Sequence, residues 1–441
     1  MKTVWNRVRN WMPGLLVALC GLTFPGCSRE STGVSEPTAD APEVDVRLSD
    51  ADWRVWRGNQ GDNVSPDASA VVRWSSTEHV IWSADVPGRG HSTPVVQGDL
   101  VFVTTADEGR QQQLLIAYDR GTGAERWRST VHEGRFCKLH AKNSHASASP
   151  VSDGNRVFTT FIHADALWVT AYERTGDRAW QTKVGDFGSE HGYGSSPALY
   201  EGSLIVNGDN ITAGFLASIE TATGDVAWKI DRPTPEIHGN YATPIVARLC
   251  GKPQLILSGR DMTASYDPST GAAIWRVAGP AQVTACTPAI GGDRVFSSGG
   301  YPEKELLAIR ADGEGDVEAT HVAWRTKRGV TYVPSPLFHD GRLYVIADDG
   351  IASCFRADTG DVVWRERLDG NFSASPVLAG GHIYAPNEAG RMFVLRAGDA
   401  FGVVSVNELD GGGFASPVIC GGRIYVRTSH RLFCIGQPAA R

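Results

Sequence analysis

The sequence has little from which a helical or membrane-spanning protein could be built. Long amphipathic helices, with apolar residues at i, i+3, i+4 and i+7, are hard to find. The apolar core at the N-terminus, Met12 to Phe24, is thirteen residues, short of the roughly 20 a bilayer span needs. Basic residues are outnumbered, 42 Lys and Arg against 49 Asp and Glu, for a net charge of −7. That balance argues against nucleic-acid binding, which needs a basic face. None of the eight cysteines is adjacent to another, and their spacing supports no disulfide framework, so no pairing is assigned. A phosphate-binding P-loop and a dinucleotide fingerprint are missing too. GYGSS at Gly192–Ser196 only superficially resembles a nucleophile elbow, because it leads into an apolar strand where that motif needs a strand-to-helix turn.

What the chain has is repetition. AYDRGTGAERW (Ala117–Trp127) returns as AYERTGDRAW (Ala171–Trp180), SIETATGDVAW (Ser218–Trp228), SYDPSTGAAIW (Ser265–Trp275) and CFRADTGDVVW (Cys354–Trp364). In each, Thr-Gly precedes Trp by a fixed interval. This reads as a β-hairpin: an apolar strand, a turn in which Gly supplies a positive φ, and a strand carrying a large apolar ring. A recurrence at about 40 to 55 residues marks a propeller or solenoid.

A second landmark opens each repeat, a Pro usually after Ser or Thr: Pro94, Pro150, Pro197, Pro244, Pro288, Pro336, Pro376 and Pro417. Each leads into three further strand signals, so one repeat is a four-stranded blade. The fifth repeat replaces its tight turn with Ala311–His321 before Trp324, and the seventh reaches Val403–Asn407 without a Trp. The eighth stops after three strands. Its fourth is expected from the other end of the chain, His79–Val86 with Trp82, because closing the ring removes exposed sheet edges and buries both faces of every blade. The expected fold is therefore all-β, an eight-bladed β-propeller of antiparallel blades. Trp82, Trp127, Trp180, Trp228, Trp275, Trp324 and Trp364 are read as inter-blade packing, and Trp53 and Trp56 as docking the preceding segment on the outside or underside. Cys354 with Cys434, and Cys250 with Cys420, hold equivalent repeat positions and read as small apolar fillers.

The five Thr-Gly/Trp hairpins, the eight Pro-led strands and WRGNQGDNVSPD (Trp56–Asp67) resemble the PQQ-type, or quinoprotein-like, eight-bladed propellers over about Trp53 to Gln437. Such likeness implies architecture more than activity. Within that family, quinoprotein alcohol dehydrogenases hold pyrroloquinoline quinone (PQQ) and calcium at the axis, often beside a vicinal disulfide. This sequence has no such cysteine pair, few long insertions and no residue matched to that group's catalytic Asp or calcium ligands. It is similar instead to compact outer-membrane assembly lipoproteins of the BamB type. The resemblance implies a non-catalytic, monomeric binding or scaffold module for another envelope protein or a polymeric ligand, with no resident cofactor. A PQQ-dependent periplasmic oxidoreductase is the alternative.

The N-terminus fits export. Lys2, Arg7 and Arg9 precede the short apolar core, and Gly26-Cys27 resembles a lipobox whose Cys would carry lipid. The expected organisation is a signal over 1–26, a lipid attachment and flexible linker over 27–51, and the propeller over 52–437. Removing the leader's three basic residues takes the net charge from −7 to −10.

Chemistry, if any, belongs at the channel mouth, where loops entering each blade's first strand gather. Four of these carry a His before the Pro: His91, His145, His191 and His238. Glu190, Glu236 and Asn240 stand beside them, and His140 lies in the longest loop with Lys138 and Lys142. Imidazoles and carboxylates from separate blades could hold a divalent metal or a polar ligand. They lack close His-x-His spacing, so no metal site is assigned.

Overall fold

Short, nearly continuous apolar runs build eight small, mainly antiparallel sheets, each buried on both faces between two neighbours. The computed structural model describes residues 49–232 and 239–437, within one unit. Seven sheets take four consecutive strand regions, as in the first: Val95–Gln97, Leu100–Asp107, Gln112–Asp119 and Glu125–Glu133. The eighth joins Val418–Cys420, Arg423–Arg427 and Arg431–Gly436 to Val80–Asp85. Val80 pairs with Ile435, Trp82 with Cys434 and Asp85 with Arg431. The expected closure is therefore present. Among the described residues no helix is long and apolar enough to cross a membrane.

The Thr-Gly/Trp repeat has a direct physical cause. The outer-strand Trp of one blade lies on the turn glycine of the next. A Cβ on Gly123 would sit 2.5 Å from the Trp82 ring, and on Gly176, Gly224, Gly271 and Gly360 it would lie within 2.7–2.8 Å of Trp127, Trp180, Trp228 and Trp324. These glycines also hold φ between +73° and +95°, a region L side chains avoid. Each indole N–H then donates to a carbonyl of the same turn: Trp82 to Arg120 O at 3.0 Å, Trp127 to Arg174 O at 2.8 Å and Trp180 to Thr221 O at 3.0 Å.

The degenerate repeats follow the same rule. The fifth blade has no Thr-Gly turn to receive Trp275, whose indole donates to Gln254 Oε1 of its own blade (2.8 Å). Gly315–Asp316, from the replaced turn, instead adds a short parallel strand beside Trp275. The eighth blade has no turn before its outer strand, since that connection is where the two ends meet, and the seventh blade carries no Trp. Trp74 stands in there: it stacks on Tyr384 (6.3 Å) and its amide donates to Asn407 Oδ1 (3.0 Å).

The segment before the ring crosses the end of the channel remote from the mouth. Trp53 bridges to Val96, Ser152 N donates to Arg54 O, Arg57 Nη2 donates to Pro336 O and Ser65 N to Leu378 O. It thus touches blades 1, 2, 6 and 7 and lies on the underside, the second of the two expected positions. Cys354, Cys420 and Cys434 are buried and free, as filler residues should be, whereas Cys250 is exposed at the turn where its amide meets Asp293.

Truncating Trp82, which is 7% exposed, removes the ring that joins the closing strand to blade 1. Trp82→Ala should cost about 3–5 kcal/mol in urea unfolding, and Gly123→Ala should also destabilise, because its Cβ has no room.

Candidate functional site at the channel mouth

The residues before each blade-opening proline are extended, so alternate side chains face the axis. The residue directly before each Pro is Ser or Thr in all eight blades, and these hydroxyls link the blades in one rotational sense. Thr93 N donates to Ser149 Oγ (2.9 Å), Ser149 N to Ser196 Oγ (2.9 Å) and Ser196 N to Thr243 Oγ1 (2.9 Å). Thr243 N donates to Thr287 Oγ1 (3.0 Å), Thr287 N to Ser335 Oγ (3.0 Å), Ser335 N to Ser375 Oγ (2.9 Å) and Ser375 N to Ser416 Oγ (3.0 Å). Seven links therefore circle the axis. Two residues further up, a second layer shows His91, Ser147, Gly194, Tyr241, Ala285, Val333, Ser373 and Phe414 to the same space.

These layers wall a cavity of about 470 Å³. Trp56, from the segment crossing the underside, is its floor, so the channel is blind. Its rim carries His140, Lys142, Asn143, His191, Tyr332, Asp348, Phe372 and Glu388. Lys142 reaches across to Glu388 (2.9 and 3.1 Å), which also accepts from Ser373 Oγ (2.6 Å). Asp348 accepts from the amides of Tyr332 (2.8 Å) and Val333 (3.1 Å) and pairs with Lys304 (3.3 Å).

Of the residues expected at the mouth, His91, His140 and His191 share this cavity. The His140 and His191 rings lie 5.7 Å apart, and His91 packs on Phe414 at 4.6 Å. His145 turns away onto Phe136 (4.1 Å) and lines a separate void of about 10 Å³. Asn240 is buried behind the wall, donating to Asp209 Oδ2 (3.1 Å) and Ser258 O (2.8 Å). Glu190 is outside the wall, with its carboxylate 3.8 Å from His191. Cys27, Glu236 and His238 lie outside the described residues. Among those described, no three His, Cys, Asp or Glu side chains are grouped to hold a metal.

A quinone with calcium needs several oxygens converging on one point. The rim's two carboxylates are instead each tied to a lysine, and the hydroxyls beneath are hydrogen-bonded into the wall. The residues described do not fit that pair. Burial, aided by the charges of Arg89 and Arg427, holds the His91 imidazole down to about 3, and burial lowers His145 as well. His91 is thus a neutral ring at neutral pH, suited to stacking and hydrogen bonding.

Two segments, residues 110–322 and 314–412, match the family model described as outer membrane protein assembly factor BamB, together spanning well over half of the chain. The chain belongs to this family. No curated protein matches it in sequence. Among solved structures it is similar to BamB from Moraxella catarrhalis, at 14% identity and a TM-score of 0.59, covering 81% of this chain and 99% of that one. A quinohemoprotein alcohol dehydrogenase from Comamonas testosteroni superposes with a TM-score of 0.64 at 10% identity, over 89% of this chain and 82% of that one. A europium-containing methanol dehydrogenase gives 0.55 at 12% identity, over 88% and 98%. At these identities the solved structures share the fold alone.

Sequence reading by histidines missed the hydroxyl ring, Tyr241, Tyr332, Phe372 and Phe414. The signal was available: the Ser or Thr before each proline, and the residue two places earlier, recur at a fixed offset from a recognised landmark.

Two expectations follow. Ser375→Ala strands the buried Ser335 amide, at a cost of about 1–3 kcal/mol, and Ser375→Thr restores the acceptor; thermal melts compare them. The unfolded chain protonates a free imidazole near pH 6.5, whereas folded His91 resists until about 3. Its contribution to stability is therefore whole above pH 6.5 and lost as pH falls towards 3. His91→Phe should flatten that part of the stability–pH curve measured by urea unfolding.

Proposed function

We propose that the protein is a non-catalytic binding or scaffold module of the cell envelope, whose channel mouth receives another envelope protein or a polymeric ligand. The wall chemistry carries this reading. Its carboxylates are in ion pairs and its hydroxyls accept from neighbouring amides, so along this wall no hydroxyl is placed against a histidine as nucleophile and base. Membership of a family named for outer-membrane assembly supports an assembly component as the partner. Lipidation at Cys27, followed by the polar linker, would keep the ring near a membrane while leaving its mouth free to engage.

The alternative, an oxidoreductase using PQQ and a divalent metal, is favoured only by the shared fold of the dehydrogenases. Both readings are tested together. A photocrosslinker at Lys142 in intact cells should give a discrete product that one at the outer-strand residue Val362 does not. Added PQQ and calcium should give no bound chromophore and no dye-linked alcohol oxidation. Turnover with that pair, or equal crosslinking from both positions, would end the scaffold reading.

A further inference from the structure

The wall of the channel is backed by buried charge that the proposed partner docking does not use. Arg57 is 1% exposed and Arg427 is 2% exposed, and neither forms an ion pair among the described residues. Arg57 Nε donates to Gly61 O (3.0 Å) and Nη2 to Pro336 O (2.8 Å), while no protein group accepts from Nη1. Asp62 lies near enough for its charge to act on Arg57, but its carboxylate accepts from the amide of Val64 (2.9 Å). Arg427 Nη1 donates to Ser92 O (3.4 Å) and Thr104 O (2.5 Å), leaving Nε and Nη2 without acceptors. A buried charge is ordinarily paired. These two are each hydrogen-bonded one residue away from a member of the hydroxyl ring, beside Ser335 and beside Thr93.

The ring adds donors. Thr93, Ser196, Thr243, Ser335, Ser375 and Ser416 all face the cavity. Five of these six oxygens, all but that of Thr93, accept in the links around the axis, and none of the six hydroxyls donates to a described protein group. Each hydroxyl proton is therefore free to point at whatever occupies the channel. Above the ring, Tyr241, Phe372 and Phe414 supply apolar surface. Donors without protein acceptors, positive charge buried behind the wall beside Ser335 and Thr93, and aromatic walls above define the complement of a ligand: an anionic, acceptor-only head on an apolar stem.

We propose that the blind channel binds a carboxylate carried on an apolar stem, with the carboxylate against the hydroxyl ring and the stem against Tyr241, Phe372 and Phe414. This rests on the reading of the mouth as a binding site and gives that site its ligand chemistry. The carboxylate can come from a free small acid or from the C-terminus of a peptide inserted end-on.

The test is isothermal titration of the full chain with 3-phenylpropionate, its amide, and N-acetyl-glycyl-phenylalanine with a free or an amidated terminus. Each acid that binds should do so at least tenfold tighter than its amide, with the ratio shrinking as salt rises. Binding of 3-phenylpropionate alone identifies a free acid, and binding of the peptide acid a chain terminus. Arg57→Gln, with folding checked by circular dichroism, should abolish the preference for acid over amide. Should that variant fail to fold, the acid–amide ratio and its salt dependence on the unmodified protein decide. Equal affinity for acid and amide, or no acid binding at about 10 mM, overturns the proposal. Crosslinking at Lys142 without acid binding would remove this ligand and leave the scaffold reading standing.

Discussion

Every regular joint in this ring depends on one contact, a tryptophan lying flat where the next blade has no side chain. The turn glycine is required twice over, once for its positive φ and once because an indole occupies the place of its Cβ. The indole N–H then secures a turn carbonyl, so the buried ring leaves no polar atom stranded. Trp and Thr-Gly consequently recur together in the sequence even though each Trp serves the following repeat's glycine. Where a blade offers no such turn, the preceding one redirects its tryptophan, as at Trp275, or has none, as in the seventh.

A second constraint works at the axis. Strands that converge on a channel bring backbone amides to its wall, where an unpaired N–H is costly. The hydroxyl before seven of the eight prolines resolves this locally by accepting from the neighbouring blade, and the underside segment seals the other end with Trp56. The ring is thus held at two radii, by indoles outside and hydroxyls inside. Only the mouth remains free to vary, and there the blades differ most: a histidine, a glycine, a tyrosine and a phenylalanine occupy equivalent places.

The architecture was legible because its constraints repeat. The Thr-Gly/Trp spacing gave the blades and the unfinished eighth repeat gave the closure, both properties of period rather than of single residues. The site was legible only in part. His91, His140 and His191 do meet at one cavity, but His145, two residues further up the strand lead-in than the channel-facing Ser147, packs on Phe136, and Asn240 is drawn behind the wall by Asp209 and Ser258. Side-chain direction within irregular loops follows from such neighbours, which spacing does not encode. The buried Arg57 and Arg427 were equally hidden, since an arginine in sequence carries no mark of the missing carboxylate.

The pairing of Val80–Asp85 with Arg431–Gly436 also sets an order in time. During synthesis the strand made first must wait for the strand made last, through some 350 intervening residues. Until then the first blade has no partner on one side, and its apolar face stays open to solvent and to other chains. A protein built this way is most vulnerable to aggregation before its final strand emerges, so folding helpers that shield an early sheet would matter more to its yield than any later gain in blade stability.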